Sequence, residues 1–217
     1  MAGPRSASRG AEVEIGVFGG SFDPPHLGHL NVAQDAAEQL GLDRVLLVPA
    51  HRSPFKTEDS DGADAEWRRR MCEGAVSGDP RFEVWDGELR RPPPSWTVDT
   101  LEALRSPGRR LTLLMGQDQW ATFHRWKAPR RILELARVGV LERGGYEGPI
   151  DPPDGDWPCV RVPVRRLEIS STEIRERIRS GRSIRYLVPE PVRALIESNT
   201  LYGELAAGSA AGLGRSS

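Results

Sequence analysis

The chain of 217 residues is 38% apolar and 28% charged, a length that suits one domain of the usual ~100–200 residues. Thirty basic residues stand against 31 acidic ones, for a net charge of −1. That balance argues against a nucleic-acid or membrane-surface binder, which would show a clear basic excess. The longest apolar runs, such as residues 45–48, fall far short of the ~20 residues that cross a bilayer. Two cysteines, Cys72 and Cys159, make neither a disulfide framework nor a zinc site by themselves, and point to a reducing, cytoplasmic setting. Only Lys56 and Lys127 of the basic residues are lysines.

Residues 1–12 lack the apolar segment of a signal peptide, and residues 206–217 are rich in Ala, Gly and Ser. Both are expected to be flexible tails around a domain at 13–205. Short β-branched runs at 13–18 and 44–49 predict buried strands. Between them Leu30, Ala33, Ala37 and Leu40 mark one face of a helix that stops at Gly41. Such a strand–helix–strand unit crosses over right-handed. Downstream, a helix is expected at 65–76, with Trp67, Met71 and Ala75 on one side, then a strand at 82–85 and a helix at 97–104. A strand at 111–115, a helix at 132–136, strands at 138–141 and 160–164, and helices at 171–179 and 191–198 follow. This alternation predicts an α/β fold with a mainly parallel sheet, whose ligands bind beyond the carboxyl ends of the strands.

The loop after the first strand reads Gly19-Gly20-Ser21-Phe22-Asp23-Pro24-Pro25-His26-Leu27-Gly28-His29. Two glycines let backbone amides approach a ligand, and a helix beginning near 25–27 directs its positive end at the same place. His26 and His29, three apart, share one helix face. A lone His at a helix start is usually a cap. Two behind a Gly-Gly turn suit a phosphate, since helical zinc pairs usually sit four apart with a carboxylate nearby. Further on, Ile169-Ser170-Ser171-Thr172-Glu173-Ile174-Arg175 carries a capping-box pattern at Ser170 and Glu173. Read alone, it is either an ordinary capped helix with Ile174 and Ile178 inward, or a helix start whose amides, Ser171, Thr172 and Arg175 hold a polyphosphate. Asp118 follows a strand and either caps the next helix or accepts bonds from ribose hydroxyls. Trp126 is either a core residue or a stacking face for an aromatic ring. Thr97 begins a helix.

Gly-Ser-Phe-Asp-Pro-Pro-His-Leu-Gly-His resembles the signature of the nucleotidyltransferase superfamily, and 169–175 is similar to its Ile-Ser-x-Thr-x-x-Arg segment. Three further stretches narrow the resemblance to bacterial nicotinate-mononucleotide adenylyltransferases. These are Pro94-Ser95-Trp96-Thr97-Val98-Asp99-Thr100-Leu101, Met115-Gly116-Gln117-Asp118 with Trp126 downstream, and Arg143-Gly144-Gly145-Tyr146. The likeness runs in order from about residue 15 to 202. It implies a Rossmann-like fold with helices on both sheet faces, and transfer of the adenylyl group of ATP to nicotinate mononucleotide. His26, His29 and Arg175 take the catalytic places. Gly19, Gly20, Ser21, Phe22, Gly116, Asp118, Ser171 and Thr172 take those at ATP, and Lys56, Thr97, Trp126 and Arg143 those at the mononucleotide. Mg²⁺ is expected to arrive with ATP and not on a dedicated protein site; the sequence leaves open whether the chain is a homo-oligomer.

The chain also departs from the family. After the second strand the family reads Pro-Asn-x-x-Pro-Pro-His-Lys, and Lys56 is kept while Ala50 replaces the Asn and Phe55 the His. Trp96 replaces Tyr and Gly144 replaces Pro. Phosphopantetheine adenylyltransferases have Thr where His26 stands, and cytidylyltransferases end differently from Ser-Ser-Thr-x-x-Arg. A nucleotide sensor without turnover would not need both histidines and Arg175, and 217 residues leave little room for the tRNA-binding domains of a class I synthetase.

Overall fold

The computed structural model describes residues 12–51, 62–145, 147–149, 151–153 and 155–203. Its strands are β1 (Val13–Gly20), β2 (Arg44–Pro49), β3 (Phe82–Val84), β4 (Arg109–Gly116), β5 (Ala136–Arg143) and β6 (Val160–Val164). They form one sheet in the order β3-β2-β1-β4-β5-β6 with every pairing parallel. The helices among the described residues are α1 (Leu27–Leu40), α2 (Ala65–Val76), α3 (Thr97–Leu104), α4 (Gln117–Ala121), α5 (Pro129–Leu135), α6 (Ser171–Arg179) and α7 (Glu190–Ser198), with a 3₁₀ turn at Phe123–Arg125.

The strands alternate between two apolar layers. Ile15, Val17, Leu46, Val48, Leu113 and Met115 pack against Val98 and Leu101 of α3, Trp120 of α4 and Ile132 of α5. On the other face Phe18, Val45, Leu47 and Leu114 meet Val32, Ala33, Ala36 and Ala37 of α1 and Cys72 of α2. A third cluster joins Met71 of α2 to Ile174 and Ile178 of α6 and to Val192 and Ile196 of α7. Truncating one such isoleucine to alanine costs about 2–5 kcal/mol, so this cluster is what holds α6 beside the sheet. Strand order reverses between β1 and β4, and the crevice beyond their carboxyl ends is where α/β sheets receive ligands.

The expected Rossmann-like fold is thus present, with several local corrections. Gly19 and Gly20 are the last residues of β1, paired with Val48 and Pro49, and not part of the loop after it. β3 stops at Val84, one residue early, while β4 and β5 run longer than their apolar cores because the ladder pairs Leu111 with Ala136 and Gly116 with Leu141. α1 presses its small residues against the sheet and leaves Leu30 and Leu40 only half-buried. The buried residues of α2 are Arg68, Met71 and Cys72, while Ala75 packs partly buried on the third cluster and Trp67 is half-buried. α4 and the 3₁₀ turn had no clear sequence signal. The tails expected at 1–12 and 206–217 lie outside the described residues, Glu12 excepted. No helix among the described residues is long and apolar enough to cross a membrane.

Candidate active site

The β1–α1 turn places two imidazoles at one helix start. His26 is the N-cap of α1, and its Nδ1 accepts from the His29 amide at 3.3 Å, while His29 Nδ1 accepts from the His26 amide at 3.2 Å. The two rings stack with centroids 3.7 Å apart. This is a capping box built from two histidines. Because each Nδ1 is an acceptor, each neutral ring carries its proton on Nε2. Phe22, in the left-handed region at φ 47°, packs its ring edge-on to His29 with centroids 5.0 Å apart. A Cβ on Gly20 would meet the Phe22 ring at 3.0 Å, which is why glycine ends the strand.

Burial, with the nearby charge of Arg143 adding to it, lowers the His26 pKa from 6.5 to about 4. Burial first, then His26 and Arg143, push His29 well below its ordinary value. Both rings are therefore neutral donors at physiological pH. The unfolded chain takes up these protons near pH 6.5, whereas folded His26 resists to about 4. Stability is accordingly undiminished above pH 6.5 and lost as pH falls from there through about 4. A histidine NMR titration should find His26 neutral and Nε2-protonated at pH 6; a midpoint near 6.5 for either ring would contradict the paired cap.

The start of α6 converges on the same turn. Ser170 caps α6 by accepting from the Glu173 amide at 3.1 Å. The Ser171 hydroxyl donates to the Pro24 carbonyl at 2.9 Å, and Arg175 Nη1 donates to the Asp23 carbonyl at 2.8 Å. Arg175 is buried, and its Nε has no partner among the described residues. The Asp23 carboxylate in turn accepts from the Ala63 amide at 3.0 Å and the Tyr202 hydroxyl at 2.7 Å. Burial first, and the Asp23 charge second, hold that phenol protonated far above its ordinary range. Two helix starts, two neutral N–H donors and a buried guanidinium thus surround one corner, which suits a polyanion.

Beside this corner lies a cleft lined by Gly19, Gly20 and Ser21 on one side and by Trp96, Thr97 and Trp126 on the other. α3 begins at Thr97 with no side-chain cap, so its first amides are free to donate to a ligand. Trp126 packs on Phe123 with centroids 5.7 Å apart and still faces the cleft. Lys127 stands 5.5 Å over the Trp96 ring and pairs with Asp99 at 3.2 Å.

The cytidylyltransferase-like family model matches residues 17–177. A probable nicotinate-nucleotide adenylyltransferase of Thermus thermophilus is 46% identical over 192 residues, spanning 88% of this chain and 100% of that protein. A protein of the same description from Gemmatimonas aurantiaca is 43% identical over 205 residues, spanning 91% and 96%. The chain belongs to the nicotinate-nucleotide adenylyltransferases of the cytidylyltransferase-like family. Its fold matches that of a Plasmodium falciparum nicotinic acid mononucleotide adenylyltransferase complexed with NaAD, with a TM-score of 0.67 at 18% identity, over 88% of this chain and 97% of that one.

In this family member the structure brings His26, His29, Arg175, Ser171 and the end of β1 with Ser21 and Phe22 to one corner, and Thr97 and Trp126 to the adjoining cleft. Arg143, at the end of β5, lies close enough to the histidines for its charge to oppose their protonation. The Ser171 hydroxyl is committed to Pro24, leaving its amide for an anion. Thr172 is exposed on the first turn of α6, and Asp118 is exposed at the carboxyl end of β4, where its carboxylate would lie 2.6 Å from a Cβ on Gly116. Lys56 and Phe55 lie outside the described residues. Sequence reasoning missed Ser95 and Gln119, which line the cleft, and the buried pair Glu88 and Thr100, joined at 2.5 Å. It also missed Arg68. The Met71-Cys72 spacing, three and four residues on, was the one available sign that Arg68 faces inward.

Proposed function

We propose that this site transfers the adenylyl group of ATP to nicotinate mononucleotide, forming nicotinate adenine dinucleotide and pyrophosphate. The observation that carries the reading is the pair of neutral Nε2–H donors at the start of α1, with the start of α6 and its Arg175 converging on the same turn, next to an aromatic cleft opened by an uncapped helix. The mononucleotide phosphate, largely ionised near neutral pH, attacks the α-phosphorus in line. The new P–O bond forms as the bond to the β-phosphate oxygen breaks, and the electron pair leaves on pyrophosphate. No side chain has to take a proton, so catalysis is positioning and charge stabilisation.

His29 and His26 donate to the reacting phosphates, with Gly19, Gly20, Ser21 and Phe22 supplying the adjoining main chain. Arg175 and the Ser171–Thr172 helix start balance the departing pyrophosphate, Arg143 joins them from the histidine side, and Lys56 serves the mononucleotide. Gly116 and Asp118 take the adenosine end, where the exposed carboxylate can accept from ribose hydroxyls. ATP enters as its magnesium complex, the ion keeping phosphate oxygens and waters as ligands. No three His, Cys, Asp or Glu side chains cluster as a metal site among the described residues, and Asp23 is engaged by Ala63 and Tyr202. Both substrates are soluble anions, in keeping with a cytoplasmic enzyme.

Thr97 and Trp126 hold the pyridine ring, and its carboxylate meets the free amides of α3. Amide donors suit a carboxylate and leave an amide NH₂ unpaired. kcat/KM should therefore favour nicotinate over nicotinamide mononucleotide by at least roughly tenfold, about 1.4 kcal/mol. Pyrophosphate release at saturating MgATP, with both mononucleotides and phosphopantetheine as acceptors, tests the assignment. Equal rates for the two pyridines would refute acid selectivity, preference for phosphopantetheine would change the substrate, and a Trp126→Ala variant unchanged on both pyridines would return that ring to a packing role.

A further inference from the structure

Arg68, on the inner face of α2, is 7% exposed. Its guanidinium donates to four main-chain carbonyls, from Nε to Ala63 at 3.2 Å, from Nη1 to Ser21 at 2.9 Å and Ala50 at 2.6 Å, and from Nη2 to His51 at 3.1 Å. Ser21 follows β1 directly, and Ala50 and His51 directly follow β2. The ladder between these strands ends at Gly20 and Pro49, with one last bond from the Ala50 amide to the Gly20 carbonyl at 2.9 Å. Beyond that point the two chains part, and Arg68 takes over where the sheet stops holding them. Ala63 is fixed from both sides, since its amide goes to Asp23 and its carbonyl to Arg68. A planar fork of five donors can reach carbonyls on three separate segments, whereas a lysine ammonium offers three donors from one point. All four acceptors are neutral, so a buried positive charge stands directly behind Ser21 and Ala50, which line the cleft.

We propose that Arg68 is a positioning residue for the transfer reaction. It sets the spacing between the carboxyl ends of β1 and β2, and thereby the alignment of the mononucleotide in its cleft with the phosphate corner held by the β1 turn. The proposal rests on the adenylyl transfer proposed above. In-line attack is sensitive to such spacing, because a displacement of about 1 Å in a reacting pair costs ~10² in rate.

The test compares wild type with Arg68→Lys and Arg68→Gln, measuring kcat and KM for MgATP and nicotinate mononucleotide per folded site, with melting temperature recorded separately. Arg68→Lys is expected to lose ~10–10² in kcat with KM for ATP changed less than about threefold, the split that marks lost transition-state alignment. Added methylguanidinium should recover part of the kcat of Arg68→Gln and none in wild type. In wild-type enzyme, nitrogen NMR of the arginine side chains should show Arg68 with slowly exchanging Nη protons, an observation independent of activity and of whether a variant folds. A freely rotating Arg68 guanidinium overturns the proposal, as does a folded Arg68→Lys enzyme with wild-type kcat, or a loss confined to melting temperature. Wild-type enzyme that releases no pyrophosphate from the two substrates overturns the functional reading instead, so the two failures are distinguishable.

Discussion

Replacing His29 with alanine is expected to lower kcat by ~10²–10³, the usual loss when one preorganised donor to a transition-state oxygen is removed, while KM for ATP rises less. The ring is a donor that needs no reorganisation. Its Nδ1 is occupied by the His26 amide, its faces by His26 and Phe22, and only the Nε2–H remains for a ligand. Alanine also removes half of a capping box, worth about 1 kcal/mol, and this must be separated from catalysis. Asparagine does so. Its amide oxygen can take the Nδ1 position and keep the bond from His26, yet nothing reaches the place of Nε2. His29→Asn should therefore melt near wild type and still be slow. Near-normal kcat in either variant, measured by pyrophosphate release, would remove His29 from the transition state.

Gly28→Ala is expected to cost ~10² in kcat/KM, comparable to misplacing a reacting group by about 1 Å, while the protein keeps its fold. Alanine in a helix normally gains about 1 kcal/mol over glycine, so a neutral substitution might be anticipated from the helix alone. Here the added Cβ would stand 2.9 Å from His26 Nδ1 and 3.0 Å from its Cε1. The ring must shift, which disturbs its stack on His29 and the bond that its Nδ1 accepts from the His29 amide. The gain in helix propensity offsets the lost cap, which is also about 1 kcal/mol, and the melting temperature should move little. The middle glycine of His-x-Gly-His thus serves the imidazole and not the turn. A fully active Gly28→Ala enzyme would show that the ring has room it does not display in this structure.

The elements with strong periodicity were legible in the chain. The bounds of α2, α3, α6 and β6 agree with those expected from pattern and caps, because a helix between an N-cap and a breaker, and a buried β-branched run, are each local statements of physics. The two helix starts at the candidate site were legible too, since a helix start announces itself by Ser170 or by a histidine pair after a strand. Phase and partnership were not. Arg68, Arg69 and Arg70 are three identical letters. Only the first is inward, and the docking of α2 on the sheet decides which. Arg69 instead pairs with Glu66 and Glu73 on the exposed side.

The sequence by itself determined an alternating α/β chain, the turn that carries His26 and His29, and the capped helix that carries Arg175, all features set within a few residues of one another. Tertiary structure alone decided that these two helix starts share a corner. Residues 23 and 175 meet only because Ile174 and Ile178 bury beside Met71 of α2. It also decided the charge state of the histidines, for desolvation depends on what surrounds a ring and not on its sequence neighbours. It also brought the Arg143 charge, at the carboxyl end of β5, close to the histidines. And it converted one arginine of a run into the tie between two strand ends, since a carbonyl 47 positions away in the chain comes within reach of its guanidinium only after the sheet and α2 have packed.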